Sequence, residues 1–408
     1  MARVVVTGMG GVTAFGSDWP TIRTRLQAGT NAVRYMTEWD AMTDLATRLG
    51  APIDGFEPPA RWSRKQLRSM GRVSQLAVRA SELALADAGL LDDTAIRDGN
   101  MGVACGSSVG STPDIRHFVE MLQTGQSGGL NANSYVRMMP HTAAANVGIF
   151  FGLTGRIIPT SSACTSGSQG IGYACEAIRA GRQTQMLAGG AEELCASEAI
   201  AFDFLYATSR RNDQPSTTPR PYDRDRDGLV IGEGAAMFVL EDLEHARARG
   251  ARIHAEVVGF ASNSDGAHVT RPMEGTMQRV MEIAIADAGV SPNAIGYVNG
   301  HGTATEHGDI AETRATSSLL GSRIPISTQK SYLGHTLGAC GAIEAWFTIE
   351  MMKEGWHAPT LNLEHVDPNC GDLDYIAGSG RQLDIEYAMS NNFAFGGVNT
   401  SLIFRRCA

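Results

Sequence analysis

The sequence predicts an α/β protein with mostly parallel sheets. Short β-branched runs alternate with stretches of helical period along the whole chain. The apolar runs end in glycine-rich or polar turns, and the alternation starts again near residue 250. At 408 residues the chain is long enough for two domains, set here at 1–250 and 251–408, and for a large buried core.

The chain opens with a strand over Arg3 to Thr7 and a glycine-rich turn, GMGGVTAFG. That turn imitates a dinucleotide fingerprint, but Thr13 stands where the third glycine belongs, and the match is set aside. A helix is expected at about Trp19 to Ala28, followed by an irregular stretch, 31–62, with Pro52, Pro58 and Pro59. From Ser63 to Gly89, apolar spacing of three and four through Val73, Leu76, Ala80 and Leu83 predicts one helix, capped by Gly89. MGVACGSSVGST reads as a strand ending in small residues, 125–139 as a loop or insertion, and His141 to Phe151 as a small-residue helix. MLAGGAEEL is a strand with a glycine turn, 196–213 is partly helical, and 221–250 runs loop, strand, helix. The second cycle begins at 251–265, with a helix at Met277 to Gly289 and strands at IGYVNG and IPIST. A helix after Gly341 and a final pair of strands, AMSNNF and TSLIFRR, complete it.

Composition narrows the function classes. A net charge of −9 argues against a general nucleic-acid binder, and any acidic partner would need a local basic patch. No signal-peptide core precedes the first strand and no apolar run approaches a membrane span. Seven scattered cysteines fit a reducing cytoplasm better than a disulfide framework.

The stretch IIPTSSACTSGSQGIG, from Ile157 to Gly172, organises the chemistry. A β-branched run stops at Pro159, and Cys164 arrives as a small-residue helix begins, the arrangement of a nucleophile elbow with sulfur for oxygen. The helix N-terminus there favours thiolate over thiol. Three later segments share the pattern of apolar strand and polar or glycine-rich loop: IGYVNGHGTATEHGD, IPISTQKSYLGHTLGACGAIEA and AMSNNFAFGGVNT. Sites in α/β sheets gather at the carboxyl ends of strands, so Cys164, His301, His335, Lys330 and the Gly396–Gly397 hairpin should converge. That set suits a thioester enzyme: the cysteine accepts an acyl group, histidines steady an enolate, and backbone N–H groups bind an oxyanion.

Metal binding competes with this reading. His301, His307 and Asp309 have ligand chemistry, and Asp223, Asp225, Asp227 and Gly228 imitate a calcium loop. Neither spacing matches: the twelfth loop position is Gly234, and no metal site is assigned. The aspartates instead suit a turn held through backbone N–H groups and Arg224 or Arg226. Lys65, Arg68 and Arg72, spaced three and four apart, would share one helix face and could steer an acidic partner.

The sequence resembles the elongating β-ketoacyl-acyl-carrier-protein synthases, condensing enzymes of the thiolase superfamily, nearly end to end. The carriers are SSACTSGSQGIG, AGGAEEL, PYDRDRDGLVIGEGA, YVNGHGTAT, KSYLGH, GACGAIEA and NNFAFGGVN. The resemblance implies a thiolase-like, five-layered αβαβα double domain. It implies an acylated Cys164, with His301 and His335 acting on malonyl decarboxylation, Lys330 ordering the site and Glu344 supporting it. It places an oxyanion hole at the backbone N–H groups of Cys164 and Phe393, with Phe393 also gating malonyl entry. It gives Thr303 and Thr305 to the phosphopantetheine arm, Val109 to acyl-chain depth, and Lys65 and Arg68 to the acyl carrier protein. No cofactor of its own is implied, since phosphopantetheine arrives on the carrier. The implied assembly is a homodimer, with a ketosynthase-like heterodimer as the alternative. Departures from the family pattern are Ala394, Val398, Glu306 and Gly300. Two rival readings are a non-catalytic chain-length partner and an acyl-transfer or thiolysis enzyme.

Overall fold

In a computed structural model, which describes residues 2–407, eleven strands form one sheet. In chain order they are β1 (Val4–Thr13), β2 (Met101–Gly106), β3 (Ile157–Pro159), β4 (Gln185–Glu192), β5 (Gly234–Asp242) and β6 (Ala255–Ser264). The rest are β7 (Ile295–Asn299), β8 (Pro325–Ser327), β9 (Asp374–Tyr375), β10 (Tyr387–Phe393) and β11 (Val398–Arg406). Their order is β9-β8-β7-β10-β11-β6-β1-β5-β4-β2-β3. One side runs β1-β5-β4-β2-β3 and the other β6-β11-β10-β7-β8-β9, the same path taken twice apart from the extra edge strand β9. They meet where Val4–Val6 of β1 pair antiparallel with Ala255–Val257 of β6.

The sheet is mixed rather than mostly parallel. Pairs toward the edges, such as β2 with β4 and β7 with β10, are parallel, whereas those around the centre are antiparallel. Connection length explains the difference: β10 returns directly into β11 through the Ala394–Gly397 turn, which only an antiparallel pair permits.

Helices α1 (Arg72–Asp87) and α2 (Thr142–Phe151) cover the outer face of one half, and α4 (Glu274–Ala288) and α5 (Glu306–Leu320) that of the other. Between the halves, α3 (Ser166–Arg179) packs against α6 (Cys340–Glu354). The layering is αβαβα, the thiolase-like architecture that the motifs imply. Small residues set the spacing of the middle layer. A Cβ on Gly167 would stand 2.9 Å from the Ala342 nitrogen, and one on Gly170 would stand 2.5 Å from the Gly189 carbonyl. That close approach draws the Cys164 turn onto the loop that carries His335.

Several local expectations give way to packing. Gly8, Gly10 and Gly11 do not form a turn but continue β1, where a Cβ at Gly8 or Gly10 would collide with α1. Gly189 and Gly190 likewise lie within β4. The single helix predicted over 63–89 is broken: a short turn, Arg64–Leu67, precedes α1, which starts after Gly71. Ser111 causes the break, since its Oγ accepts the Val73 N–H and a Cβ on Gly71 would lie 2.1 Å from it. The 125–139 stretch contains a helix, Ala132–Met138. No helix among the described residues is long and apolar enough to cross a membrane.

Candidate active site

Cys164 lies in a one-turn 3₁₀ segment, Ala163–Thr165, that leads into α3. Ala163 adopts φ +51°, a left-handed conformation that throws the chain sharply into the helix. Side chains brace the turn: Ser166 Oγ accepts the Ser162 N–H, and Thr165 Oγ1 donates to the Ser162 carbonyl at 2.7 Å. The sulfur is buried, 4% exposed, at the floor of a cleft of about 520 Å³. Burial decides its protonation and pushes the thiol up to about 11, overriding the helix N-terminus expected to favour thiolate. The backbone N–H of Phe395 and the charge of Lys330 pull the other way.

His335 Nε2 stands 3.0 Å from the Cys164 sulfur. The Leu337 N–H donates to His335 Nδ1 at 3.2 Å, so the ring carries its proton on Nε2 and presents it to the sulfur. His301 is arranged alike. Its Nδ1 faces the Lys330 ammonium at 3.1 Å and the Asn392 amide at 3.4 Å, which leaves Nε2 protonated. The two rings sit 5.2 Å apart at 87°. Burial, with Lys330 close by, holds both well below the ordinary histidine range, so both are neutral donors.

Lys330 is ion-paired with Glu344, and both are buried. Burial opposes the lysine charge, but the carboxylate outweighs it and keeps the ammonium above its ordinary value. Asn392 completes the group by donating to Glu344 at 2.7 Å. Lys330, Glu344 and Asn392 thus set the orientation of His301 from behind.

The PYDRDRDGLVIGEG motif ties down both histidine loops. Val230 and Gly232 hold the His335 backbone through bonds of 2.7 and 3.0 Å. Asp309, partnered by Arg226 at 3.6 Å, accepts the N–H groups of Tyr222, Thr303 and Ala304. Asp223 accepts the N–H groups of Glu364, His365 and Asp225. It pairs with Arg220 at 3.2 Å, while its neighbour Asp225 takes the expected Arg224 at 3.6 Å. The metal cluster weighed from sequence does not form among the described residues, since His307 is exposed and Asp309 is committed to its loop. Cys164, His301 and His335 do bring their donor atoms within 4.8 Å of one another.

Thr303 and Thr305 line the cleft with their hydroxyls 2.8 Å apart. Gly396 and Gly397 adopt φ of +90° and +75°, and the loop folds back through Gly397 N–H to the Ala394 carbonyl. Two expectations are corrected here. The N–H that reaches the sulfur from this loop belongs to Phe395, whereas Phe393 is buried with its ring 6.1 Å from His301. Phe395, not Phe393, stands exposed at the mouth beside Phe202. The positive-φ glycines that follow Phe395 fold the chain back on itself and turn the Phe395 N–H, not its ring, toward the thiol. Val109 stands on the surface, 38% exposed, and does not line the cleft.

Lys65 and Arg68 are exposed on the short 64–67 turn and its cap. Arg72 does not join them. It starts α1 and pairs with buried Glu233 at 2.7 Å, because the break at Gly71 rotates it away. The sequence passed over Glu192, whose carboxylate accepts from Ser107 and from the Ser108 and Gly338 N–H groups. A charge at the tip of an apolar strand was the available signal. Glu312, which accepts the His301 and Gly302 N–H groups, gave none.

Family models for the β-ketoacyl synthase N-terminal and C-terminal domains match residues 1–246 and 254–364. The 3-oxoacyl-[acyl-carrier-protein] synthase 2 of Vibrio cholerae is 39% identical, with 99% of each chain covered. A β-ketoacyl synthase from Burkholderia phymatum superimposes with a TM-score of 0.99 at 64% identity over 100% of both chains. A type II PKS acyl-carrier protein in complex with its ketosynthase (AntDE:AntF) gives 0.86 at 30% identity, again over 100% of each chain. With a nucleophile turn, two imidazoles and a glycine hairpin meeting in one cleft, the chain belongs to the β-ketoacyl synthase family.

Proposed function

We propose that the protein catalyses decarboxylative Claisen condensation, lengthening an acyl chain of fatty-acid or polyketide type by two carbons. The observation that carries this is the placement of two neutral N–H imidazoles over one buried thiol. Neither ring is set up as a base; both suit an oxygen that gains negative charge. The Cys164 sulfur attacks the carbonyl of an acyl thioester, its proton leaves with the departing carrier thiol, and the N–H groups of Cys164 and Phe395 receive the oxyanion. Malonyl thioester then enters and its carboxylate carbon departs as CO₂. The electron pair forms an enolate whose oxygen accepts from His301 and His335. The enolate carbon attacks the acyl carbonyl, and the tetrahedral adduct expels the Cys164 thiolate, which takes up one proton from solvent to return to the thiol.

Loss of CO₂ drives the sequence, so the reaction as written calls on no cofactor held by the chain. The related carrier-bound ketosynthase supports an acyl carrier protein as the donor, docking at exposed Lys65 and Arg68. We assign residues 1–250 to the half that bears the nucleophile and 251–408 to the half that bears both histidines and Lys330. An exposed edge strand, β3, with Val109 and Ile149 also exposed, supports a homodimer that closes the acyl pocket. The complete Cys-His-His set speaks against a scaffold. The test is purified protein given acyl- and malonyl-carrier protein: CO₂ and a β-ketoacyl product are expected, and a Cys164→Ala variant with full condensing activity would refute the reading.

A further inference from the structure

Tyr222 is fully buried, yet its hydroxyl has no hydrogen-bond partner among the described residues. An unpaired buried hydroxyl costs stability and calls for an explanation in the packing around it. Its surroundings are specific. A Cβ on Gly300 would stand 2.1 Å from that oxygen, and one on Gly302 would stand 2.6 Å from it. The hydroxyl therefore sits directly against the backbone turn that bears His301. Other groups clamp the same turn: Gly300 N–H donates to the Ser327 carbonyl at 2.9 Å, and Glu312 accepts from His301 and Gly302.

Tyr222 is itself held in place. Its N–H donates to Asp309 at 2.7 Å, its carbonyl accepts from Asp367 at 2.9 Å, and its ring lies 5.4 Å from that of Tyr375. Asp309 also accepts from Thr303 and Ala304, so one carboxylate fixes both the tyrosine and the far end of the turn. A rigid oxygen beneath a clamped turn limits how far the turn can sink.

We propose that Tyr222 is a positioning residue for His301, its hydroxyl filling the space that a methyl on residue 300 would otherwise take. Gly300 and Tyr222 then form one unit: the glycine is required because the oxygen is there. This rests on the condensing function proposed above and deepens it, since His301 serves malonyl decarboxylation while acyl loading relies on Cys164 and the Phe395 N–H.

The test is a double-mutant cycle read by two assays, CO₂ release from malonyl-carrier protein and mass-spectrometric acylation of Cys164. Gly300→Ala should lower decarboxylation about a hundredfold, the scale of a displacement near 1 Å, with acylation held within about threefold. Tyr222→Phe should lower it about tenfold by leaving a gap under the turn. Once the oxygen is gone, the nearest atoms to the added methyl stand at 3.1 Å, a contact that small shifts relieve. The double variant should therefore recover to within about threefold of wild type. Losses that multiply in the double variant, or acylation that falls in step with decarboxylation, would overturn the proposal. Should Gly300→Ala fail to fold, Tyr222→Phe decides alone, and a wild-type decarboxylation rate there overturns it. A wild-type protein that releases no CO₂ overturns the functional reading instead.

Discussion

His335 meets Cys164 as a donor: Nε2 lies 3.0 Å from the sulfur while the Leu337 N–H occupies Nδ1. A ring so arranged cannot take the thiol proton, and burial keeps that proton in place up to about 11. Alkylation of Cys164 by iodoacetamide should therefore rise about tenfold per pH unit up to at least about pH 10, without levelling off. The peptide bearing Cys164 must be followed by mass spectrometry, because Cys195, Cys370 and Cys407 are only partly buried. A plateau near pH 8 would show that the thiolate is the resting form.

Both imidazoles also act on stability. Their protonation lies well below the ordinary 6.5 in the folded state, so below that pH the unfolded rings bind protons that the folded rings refuse. Stability from each ring is then full above about pH 6.5 and declines as pH falls. His335→Asn removes one such contribution. The melting temperature of the variant minus that of wild type should rise between about pH 7.5 and about pH 5.5 by scanning fluorimetry. Buried carboxyls such as Glu312, pushed up to about 8, act with the opposite sign and cancel in the difference. A flat difference would contradict the neutral assignment.

The hairpin after β10 sets the Phe395 N–H over the sulfur only because Gly396 and Gly397 accept positive φ. A methyl on Gly397 would also stand 2.8 Å from the Asp265 side chain. Gly397→Ala should reduce Cys164 acylation about a hundredfold, the scale of losing one oxyanion donor, with the circular dichroism spectrum unchanged. Acylation at the wild-type rate would remove Phe395 from the proposed oxyanion hole.

The parts that local sequence can carry were legible: alternation of strand and helix, small residues around Cys164, and polar loops at strand tips. What it could not carry was decided by distant partners. Gly8 and Gly10 resemble turn residues until α1 lies across them. Phe393 and Phe395 both flank Ala394, and only the fold of the following glycines shows which N–H reaches the thiol. The mixed sheet has the same origin, since strand direction follows from which neighbour each half returns beside.

Lys65, Arg68 and Arg72 look equivalent by spacing, and the structure separates them. Arg72 pairs with Glu233, which is buried and also accepts the Ile53 N–H at 2.7 Å. Arg72→Ala strands that carboxylate. The expected cost is about 2 kcal/mol, below that of a fully buried pair because the arginine side chain is 34% exposed. It should appear as a lower urea midpoint at an unchanged KM for carrier protein. Lys65→Glu with Arg68→Glu should do the reverse, raising KM about tenfold through lost charge complementarity while the urea midpoint stays put. The effect should shrink as salt rises, because both side chains lie open to solvent. A carrier KM that responds to Arg72→Ala and ignores the other two would return Arg72 to the docking face.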